Sequence, residues 1–328
     1  MNAAGADVWR GRRVLVTGAT GVVGSWVAKA LLERGATVVT LALDVDPRSE
    51  LVTSGDFSQL VVIYGGLEDY SIVERAVGAW DVDTVIHLAA QSLVGQALRS
   101  PVTTFEANVR GTWHLLEACR IHASALSAVV VASSDKAYGS ADDLPYTENT
   151  PLRAEHPYDV SKACADLIAQ SYHRTYGLPV QVARCGNIYG GGDLNFSRIV
   201  PGTIRSLCRG ERPIIRSDGT FIRDYLYVKD AASAYLRLAE AAFEGTVGHT
   251  VNFSGGARHT VLEAVGAVAA AVGGPLLEPD IRNTASAEIH EQWLSSEKAR
   301  ALLGWEPEYS FEQGLEETVA WYRAWLSE

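Results

Sequence analysis

Arg13-Val14-Leu15-Val16-Thr17-Gly18-Ala19-Thr20-Gly21-Val22-Val23-Gly24 is a short β-rich run that ends in spaced glycines and passes into an apolar helical pattern extending to Leu32. In this strand–turn–helix setting the three glycines have separate tasks. Gly18 permits a tight turn, Gly21 lets the backbone approach a pyrophosphate, and Gly24 allows close helix–sheet packing. The context after a strand and before a helix is what gives the triplet its value.

Outward from this point, strand and helix patterns alternate. Strands are expected at Thr37–Leu43, Leu60–Tyr64, Thr84–Leu88, Ala128–Ala132 and Val180–Ala183. Helices are expected near Ile72–Trp80, over Val102–His122, and over Tyr158–Tyr176 with Pro157 suited to the first turn. The alternation predicts an α/β fold: a Rossmann-type doubly wound parallel sheet with a smaller, partly discontinuous C-terminal substrate lobe. The division is placed at residues 1–186 for a NAD-binding domain and 187–328 mainly for the substrate lobe, with some return of chain to the sheet. After Asn187 the rhythm loosens around Gly190-Gly191-Gly192 and Pro201-Gly202. Helices are expected at Ala257–Ala271 and Phe311–Leu326.

The chain has 328 residues, 47% apolar and 20% charged, with a net charge of −11. That balance builds a core and disfavours non-specific binding to nucleic acid or anionic membranes. There is no run of eighteen apolar residues and no apolar secretion signal, so a cytoplasmic protein is expected. Cys119, Cys164, Cys185 and Cys208 form no CxxC pair and read as free buried thiols, with no metal site. Six arginines between Arg198 and Arg223 stand against only Glu211 and Asp218. This local excess suits a compact anion such as a phosphate, with about half of the six expected on a solvated face.

Asp44, 26 residues beyond Gly18, closes the second strand. A carboxylate there accepts from ribose hydroxyls and repels a 2′-phosphate, which favours NAD over NADP. In Tyr158-Asp159-Val160-Ser161-Lys162 a phenol and an ammonium stand four residues apart on one helix face. An ammonium beside a phenol favours the phenolate, so Tyr158 is expected to act as a base in hydride transfer.

With Thr17–Gly24, His87-Leu88-Ala89-Ala90-Gln91, Asn108 with Gly111-Thr112, Tyr158/Lys162, Arg184–Gly190 and Arg223-Asp224-Tyr225 in place, the chain resembles the extended short-chain dehydrogenase/reductase family over nearly its whole length. Within it, the nucleotide-sugar 4,6-dehydratase branch is the most similar. Ser134-Asp135-Lys136-Ala137-Tyr138-Gly139 and Gly190–Arg198 look most like CDP-glucose 4,6-dehydratases. The dTDP-glucose enzymes carry Asp-Glu where this chain has Asp135-Lys136.

The resemblance implies a catalytic set of Ser134, Asp135, Lys136, Tyr158 and Lys162. Tyr158 would take the proton of the sugar 4-hydroxyl as hydride leaves C4. Lys162 would hold the nicotinamide ribose and lower the tyrosine's pKa, and Ser134 would relay the proton. Asp135, held protonated, would assist loss of the C6 hydroxyl, and hydride would return to C6. Lys136 would be either the C5 base, having lost its charge, or an electrostatic partner of the enolate. NAD would be lined by Gly18, Thr20, Gly21, Val22, Val23 and Gly24, by Asp44, Gly66 and Leu67, by Leu88, Ala89, Ala90 and Asn108, and by Tyr158, Lys162 and Cys185. Ser92, Asn187, Arg198, Arg216 and Arg223 would hold the nucleotide sugar.

Two departures stand out. Tyr64-Gly65-Gly66-Leu67 lacks an aspartate often used toward adenine, and His290-Glu291-Gln292-Trp293 occupies a stretch where relatives often place a diphosphate arginine. A homodimer is implied through the helices near Val102–Ile121 and Tyr158–Tyr176. A 4-epimerase or a UDP-glucuronate decarboxylase-like enzyme on the same fold needs no acid/base pair for water loss, so Asp135-Lys136 favours the dehydratase. A NAD(H)-binding regulator without catalysis and a plain carbonyl reductase are the remaining alternatives.

Overall fold

The computed structural model describes residues 8–122, 125–141, 143–274, 277–284 and 288–327. Its main sheet comprises β1 (Arg13–Thr17), β2 (Thr37–Ala42), β3 (Val61–Tyr64), β4 (Thr84–His87), β5 (Ala128–Ala132) and β6 (Val180–Cys185). A seventh strand, Thr250–Phe253, returns from late in the chain to pair with β6 in parallel register, Val251 opposite Ala183. The order across the sheet is β3-β2-β1-β4-β5-β6 and then that late strand, parallel throughout. The order reverses between β1 and β4, and in such sheets ligands bind beyond the strand ends at that point.

Why these runs are strands and why both faces are covered follows from the side-chain alternation. Val14 and Val16 of β1 and Val130 of β5 enter one apolar cluster, while Leu15, Val129 and Val131 enter a second on the opposite face. Helix α1 (Val22–Glu33) lies on the first face and contributes Val27 and Leu31. Helices α2 (Tyr70–Gly78), α3 (Gly111–His122) and α4 (Pro157–Tyr176) cover the second with Val73, Leu115, Leu116 and Ala169. A sheet buried on both sides reads as near-continuous apolar runs, as the centres of β1 and β5 do, whereas β6 buries Gln181 and Arg184 as well.

Past β6 come α5 (Ile199–Cys208), α6 (Val228–Phe243), α7 (Val261–Val272), α8 (Glu297–Leu303) and α9 (Phe311–Ser327). Helix α6 packs back on the first sheet face through Ala231, Tyr235 and Leu238. A small second sheet is centred on Ile222–Tyr227, which pairs with Asn187–Tyr189, Arg258–Thr260 and Glu291–Gln292. Its core joins Tyr189, Ile204, Tyr225, Val268 and Leu315.

Three local expectations change. The helix expected over Val102–His122 is interrupted: Pro101–Phe105 is followed by a wide π-type turn, Glu106–Arg110, before α3 begins. Such turns are frequent at functional sites, and here the turn carries the buried Asn108. Helix α7 starts at Val261 instead of Ala257, because Arg258–Thr260 is claimed by the second sheet and Thr260 forms a reciprocal cap with Glu263. The helix near Ile72–Trp80 runs Tyr70–Gly78, with Asp69 capping it through the Ser71 N–H. All four cysteines are free, but only Cys119 and Cys185 are buried: Cys164 is partly exposed and Cys208 is exposed at the last residue of α5.

Candidate active site

A cleft of about 1510 Å³ opens over the carboxyl ends of β1, β4 and β5 and is closed on its far side by the second sheet and α5. The turn between β1 and α1 forms its floor. Gly18 has φ +74°, and a Cβ there would stand 2.8 Å from the Ala89 backbone. A Cβ on Gly24 would collide with the Gly18 carbonyl. No side chain caps α1 at Gly21, so its first amide N–H groups face the cleft. A helix N-terminus of this kind favours an anion by about 0.3–1 kcal/mol. Asp44 lines the same cleft beyond β2. The glycine cradle, the helix start and this carboxylate fit a dinucleotide pyrophosphate and ribose. Where the adenine-side aspartate is missing, Glu68 folds its carboxylate over Gly66.

Strand β5 ends at Ala132 and delivers Ser133 and Ser134 into a tight helical turn, Asp135–Tyr138. Ser134 Oγ accepts from the Lys136 N–H at 3.2 Å and donates to Asp135 Oδ1 at 3.0 Å. Asp135 is 2% exposed, and its Oδ2 has no partner. Burial raises its pKa, against the opposing pull of Lys136, the Ser134 hydrogen bond and Arg223. Lys136 Nζ donates to Oε1 of the buried Gln292 at 3.1 Å. The turn is braced from behind. Arg184 makes a bidentate pair with Asp166 at 2.7 and 3.0 Å and donates to Tyr138 Oη at 2.8 Å, and Tyr138 donates to Asn252.

Helix α4 presents Tyr158 and Lys162 to this turn. Lys162 Nζ donates to the Ala132 carbonyl at 2.9 Å, and burial brings its pKa down to about 8. Burial pushes Tyr158 up to about 12, opposed by Arg198 and a hydrogen bond with Ser134. The lysine four residues away is therefore not what sets the phenol's acidity within the protein: its ammonium is turned to a carbonyl, and burial outweighs the cations that remain.

A neutral relay fixes the helix. His87 is buried and pushed down to about 3 by burial and by Lys162. Thr17 Oγ1 accepts from the Ala89 N–H and sits 2.7 Å from His87 Nδ1, while His87 Nε2 sits 3.0 Å from Thr112 Oγ1. Thr112 donates to the Asn108 carbonyl, and the Asn108 amide donates to Gln91 O and Ser161 Oγ. Because the Thr112 hydroxyl hydrogen goes to the Asn108 carbonyl, His87 carries its proton on Nε2 and donates it to Thr112 Oγ1, while Thr17 Oγ1 donates to Nδ1.

The sequence-derived residues gather closely. Gly18, Thr20, Gly21, Val22, Val23, Gly24, Asp44, Gly66, Leu67, Leu88, Ala89, Ala90, Ser92, Cys185, Asn187, Arg198, Arg216 and Arg223 line the cleft with the five catalytic candidates. Asn108 does not; it stands behind the wall with its amide committed to Gln91 and Ser161. Arg198 bridges the two lobes, pairing with Asp193 at 3.0 Å and donating to Ser92 at 3.1 Å. Arg216 is exposed and donates to the Ser197 carbonyl, and Arg223 pairs with Glu288 at 3.2 Å. Of the other arginines in that run, Arg205 lies over Phe196 and Arg212 binds the carbonyls of Glu278 and Pro279. Sequence reading gave no role to Asp159, Glu288 or Gln292. Asp159 adjoins Tyr158 and was visible there as a charge in a motif; Gln292 lay in the stretch noted for its missing arginine but was given no role, and nothing pointed to Glu288.

Among the described residues, no group of three or more His, Cys, Asp or Glu side chains is arranged to hold a metal ion, and no helix is long and apolar enough to cross a membrane. Residues 15–318 match the family described as GDP-mannose 4,6 dehydratase. The CDP-glucose 4,6-dehydratase of Salmonella typhimurium is 31% identical over 340 residues, covering 98% of this chain and 93% of that protein. The dTDP-glucose 4,6-dehydratase of Bacillus anthracis, solved in complex with NAD, superimposes with a TM-score of 0.83 at 29% identity over 95% of this chain and 97% of that one. The UDP-glucose 4-epimerase of Thermotoga maritima, solved with UDP-glucose, gives 0.85 at 28% identity over 96% and 99%.

Proposed function

The chain belongs to the GDP-mannose 4,6-dehydratase family, and on that premise we propose that it is an NAD-dependent CDP-glucose 4,6-dehydratase acting through Ser134, Asp135, Lys136, Tyr158 and Lys162. The observation that carries this reading is Ser134, which neighbours the Tyr158 phenol and donates at 3.0 Å to Asp135, a buried carboxyl inclined to stay protonated. A 4-epimerase has no use for the second member of that pair.

NAD, held by the Gly18–Gly24 turn and Asp44, would supply the hydride acceptor for the sugar C4 and the donor for C6. With the positive nicotinamide ring favouring its phenolate against burial, Tyr158 Oη would take the proton of the 4-hydroxyl, and Ser134 would hold that oxygen. Lys162 orients the nicotinamide ribose from its anchor on Ala132. Once C4 is a ketone, the C5 proton is acidic, and Asp135 donates to the departing C6 hydroxyl. The product is a 4-keto-6-deoxy nucleotide sugar. Residues 1–186 serve the dinucleotide and 187–328 mainly the nucleotide sugar, whose diphosphate is met by Arg198, Arg216 and Arg223, with Ser92 and Asn187 toward the sugar and nucleoside.

CDP is favoured as the nucleotide by Lys136 in the place of a glutamate and by the Salmonella relative. The likeness to the Thermotoga maritima epimerase keeps 4-epimerisation as the second reading. Purified protein incubated with CDP-, dTDP-, UDP- and GDP-hexoses decides between them. Loss of one water from a CDP-sugar without net reduced cofactor supports the proposal; an epimer of unchanged mass overturns it. A homodimer is part of the proposal, since Val102, Trp113, Ile121, Leu167 and Tyr176 leave apolar surface exposed along α3, α4 and the turn before them. Light scattering at micromolar concentration tests it.

A further inference from the structure

Asp159 is the third residue of α4, immediately after Tyr158, and is 5% exposed on the cleft wall. A carboxylate in a helix's first turn ordinarily binds the amide N–H groups there. Asp159 does not: no side chain caps this helix, and Asp159 Oδ1 is buried without a hydrogen-bond partner. Nor does it form an ion pair among the described residues. A buried acceptor left open is destabilising, so it needs a reason.

Its charged neighbours are Lys136, His156, Asp135 and Glu288, the first two favouring the carboxylate and the last two opposing it. Burial outweighs them all and brings its pKa up to about 6, so it is ionised at neutral pH yet more basic than an ordinary aspartate. Lys136 is poorly placed for the same task. A lysine acts as a base only after shedding a proton, and the Nζ of Lys136 is engaged with Gln292.

We propose that Asp159 is the base that takes the C5 proton, with the Lys136 ammonium beside it stabilising the enolate oxygen. The inference rests on the dehydratase reading above. The C5–H bond breaks and its proton passes to the Asp159 carboxylate on the cleft wall, while the electron pair forms the C4–C5 enolate. The enolate then collapses to a C5–C6 double bond as the C6–O bond breaks, and the hydroxyl leaves as water with the proton of Asp135. Hydride removed earlier from C4 adds at C6, and Asp159 returns its proton to C5. The O4 proton held by Tyr158 restores Asp135 through Ser134, so the sum is loss of one water.

The test uses single turnovers in deuterium oxide with whichever nucleotide sugar the wild-type enzyme dehydrates, comparing Asp159→Asn, Asp159→Glu and Lys136→Met. Asp159→Asn is expected to oxidise C4 and accumulate reduced cofactor while losing C5 proton exchange by roughly 10²–10⁴-fold. Asp159→Glu is expected to restore part of the exchange, and Lys136→Met to slow it without abolishing it. Exchange by Asp159→Asn within about threefold of wild type overturns the assignment, as does loss of C4 oxidation in step with exchange. Abolition by Lys136→Met alone also overturns it. If Asp159→Asn does not fold, the wild-type pH profile decides: exchange should fall on acidification through about pH 6, whereas a limb only on the alkaline side overturns the proposal. A wild-type enzyme that removes water from no nucleotide sugar defeats the dehydratase reading itself, a different failure.

Discussion

Arg223 Nη2 lies 3.2 Å from Glu288 Oε2 at the wall of the cleft, so the arginine proposed to meet a diphosphate is already partly neutralised from within the chain. The guanidinium is only 8% exposed, its partner 42%. Nη1 is meanwhile held by the carbonyls of Ile222 and His290, so the head group keeps its place when Glu288 moves away.

An incoming dianion competes with that carboxylate. Half-exposed pairs are worth about 0–1 kcal/mol, which limits the effect to about fivefold. Glu288→Gln is therefore expected to lower KM for the nucleotide sugar two- to fivefold with kcat unchanged, and Arg223→Ala to raise it. Steady-state kinetics at two salt concentrations checks both. An unchanged KM for Glu288→Gln would mean that Arg223 does not meet the substrate's phosphates.

Asp159 makes a stability prediction whose sign follows from linkage. Its native pKa of about 6 lies above the ordinary 3.8, so between these values the native state holds the proton more tightly than the unfolded chain. Stability therefore declines as pH rises through that window, and above about pH 6 the full penalty of ionising a buried carboxylate remains. About two pKa units correspond to roughly 3 kcal/mol. Asp159→Asn should be more stable than wild type near neutral pH by up to that amount, and the advantage should vanish below pH 4. Urea unfolding at several pH values measures it. A variant that gains stability while losing C5 exchange is what a functional buried carboxylate predicts.

How far these relationships were legible beforehand depended on whether they are local in sequence. The parallel sheet and six of its strands were foreshadowed because β1 and β5 have continuous apolar cores and the Gly18–Gly24 turn works by backbone geometry alone; the late strand Thr250–Phe253 was not. Tyr158 and Lys162 share a helix face, so their juxtaposition was visible as well. The π-type turn at Glu106–Arg110 was not, because apolar periodicity does not register one extra residue per turn. Gln292 meets Lys136 across 156 residues, and Glu288 meets Arg223 through the second sheet, both by tertiary packing. The phenol's acidity was misjudged for a related reason: sequence spacing shows a nearby ammonium but not the burial that outweighs it, nor that Lys162 faces Ala132.

The Asp166–Arg184 pair predicts a coupling between stability and rate. Both side chains are almost fully buried, and the arginine also holds Tyr138 at the end of the turn that carries Ser134, Asp135 and Lys136. Removing one partner from such a pair typically costs about 3–5 kcal/mol, because the other charge stays buried and unpaired. Asp166→Asn should fall in that range and lower kcat as the turn loosens. The double variant Asp166→Leu/Arg184→Met should recover most of the stability without recovering kcat. Thermal unfolding and kinetics on the same preparations separate the two effects; full recovery of kcat in the double variant would show that the brace on Tyr138 has no catalytic consequence.

Asp44 predicts the cofactor preference. It is exposed at the cleft's far end, beyond β2, where a carboxylate accepts from both ribose hydroxyls and repels a 2′-phosphate. Replacing it with serine leaves one short hydroxyl and no charge, so NAD should bind roughly tenfold more weakly, the equivalent of about 1.4 kcal/mol. NADP should bind more tightly than to wild type, since the repulsion is gone and no basic group has been added. The turn itself should be insensitive, because Gly18 and Gly24 owe their places to contacts with Ala89 and with each other. Fluorescence titration with both reduced dinucleotides reads the two affinities. If Asp44→Ser weakens both equally, the carboxylate supports the loop after β2 instead of reading the ribose, and the preference for NAD must then come from the shape of the pocket around Leu43 and Gly66.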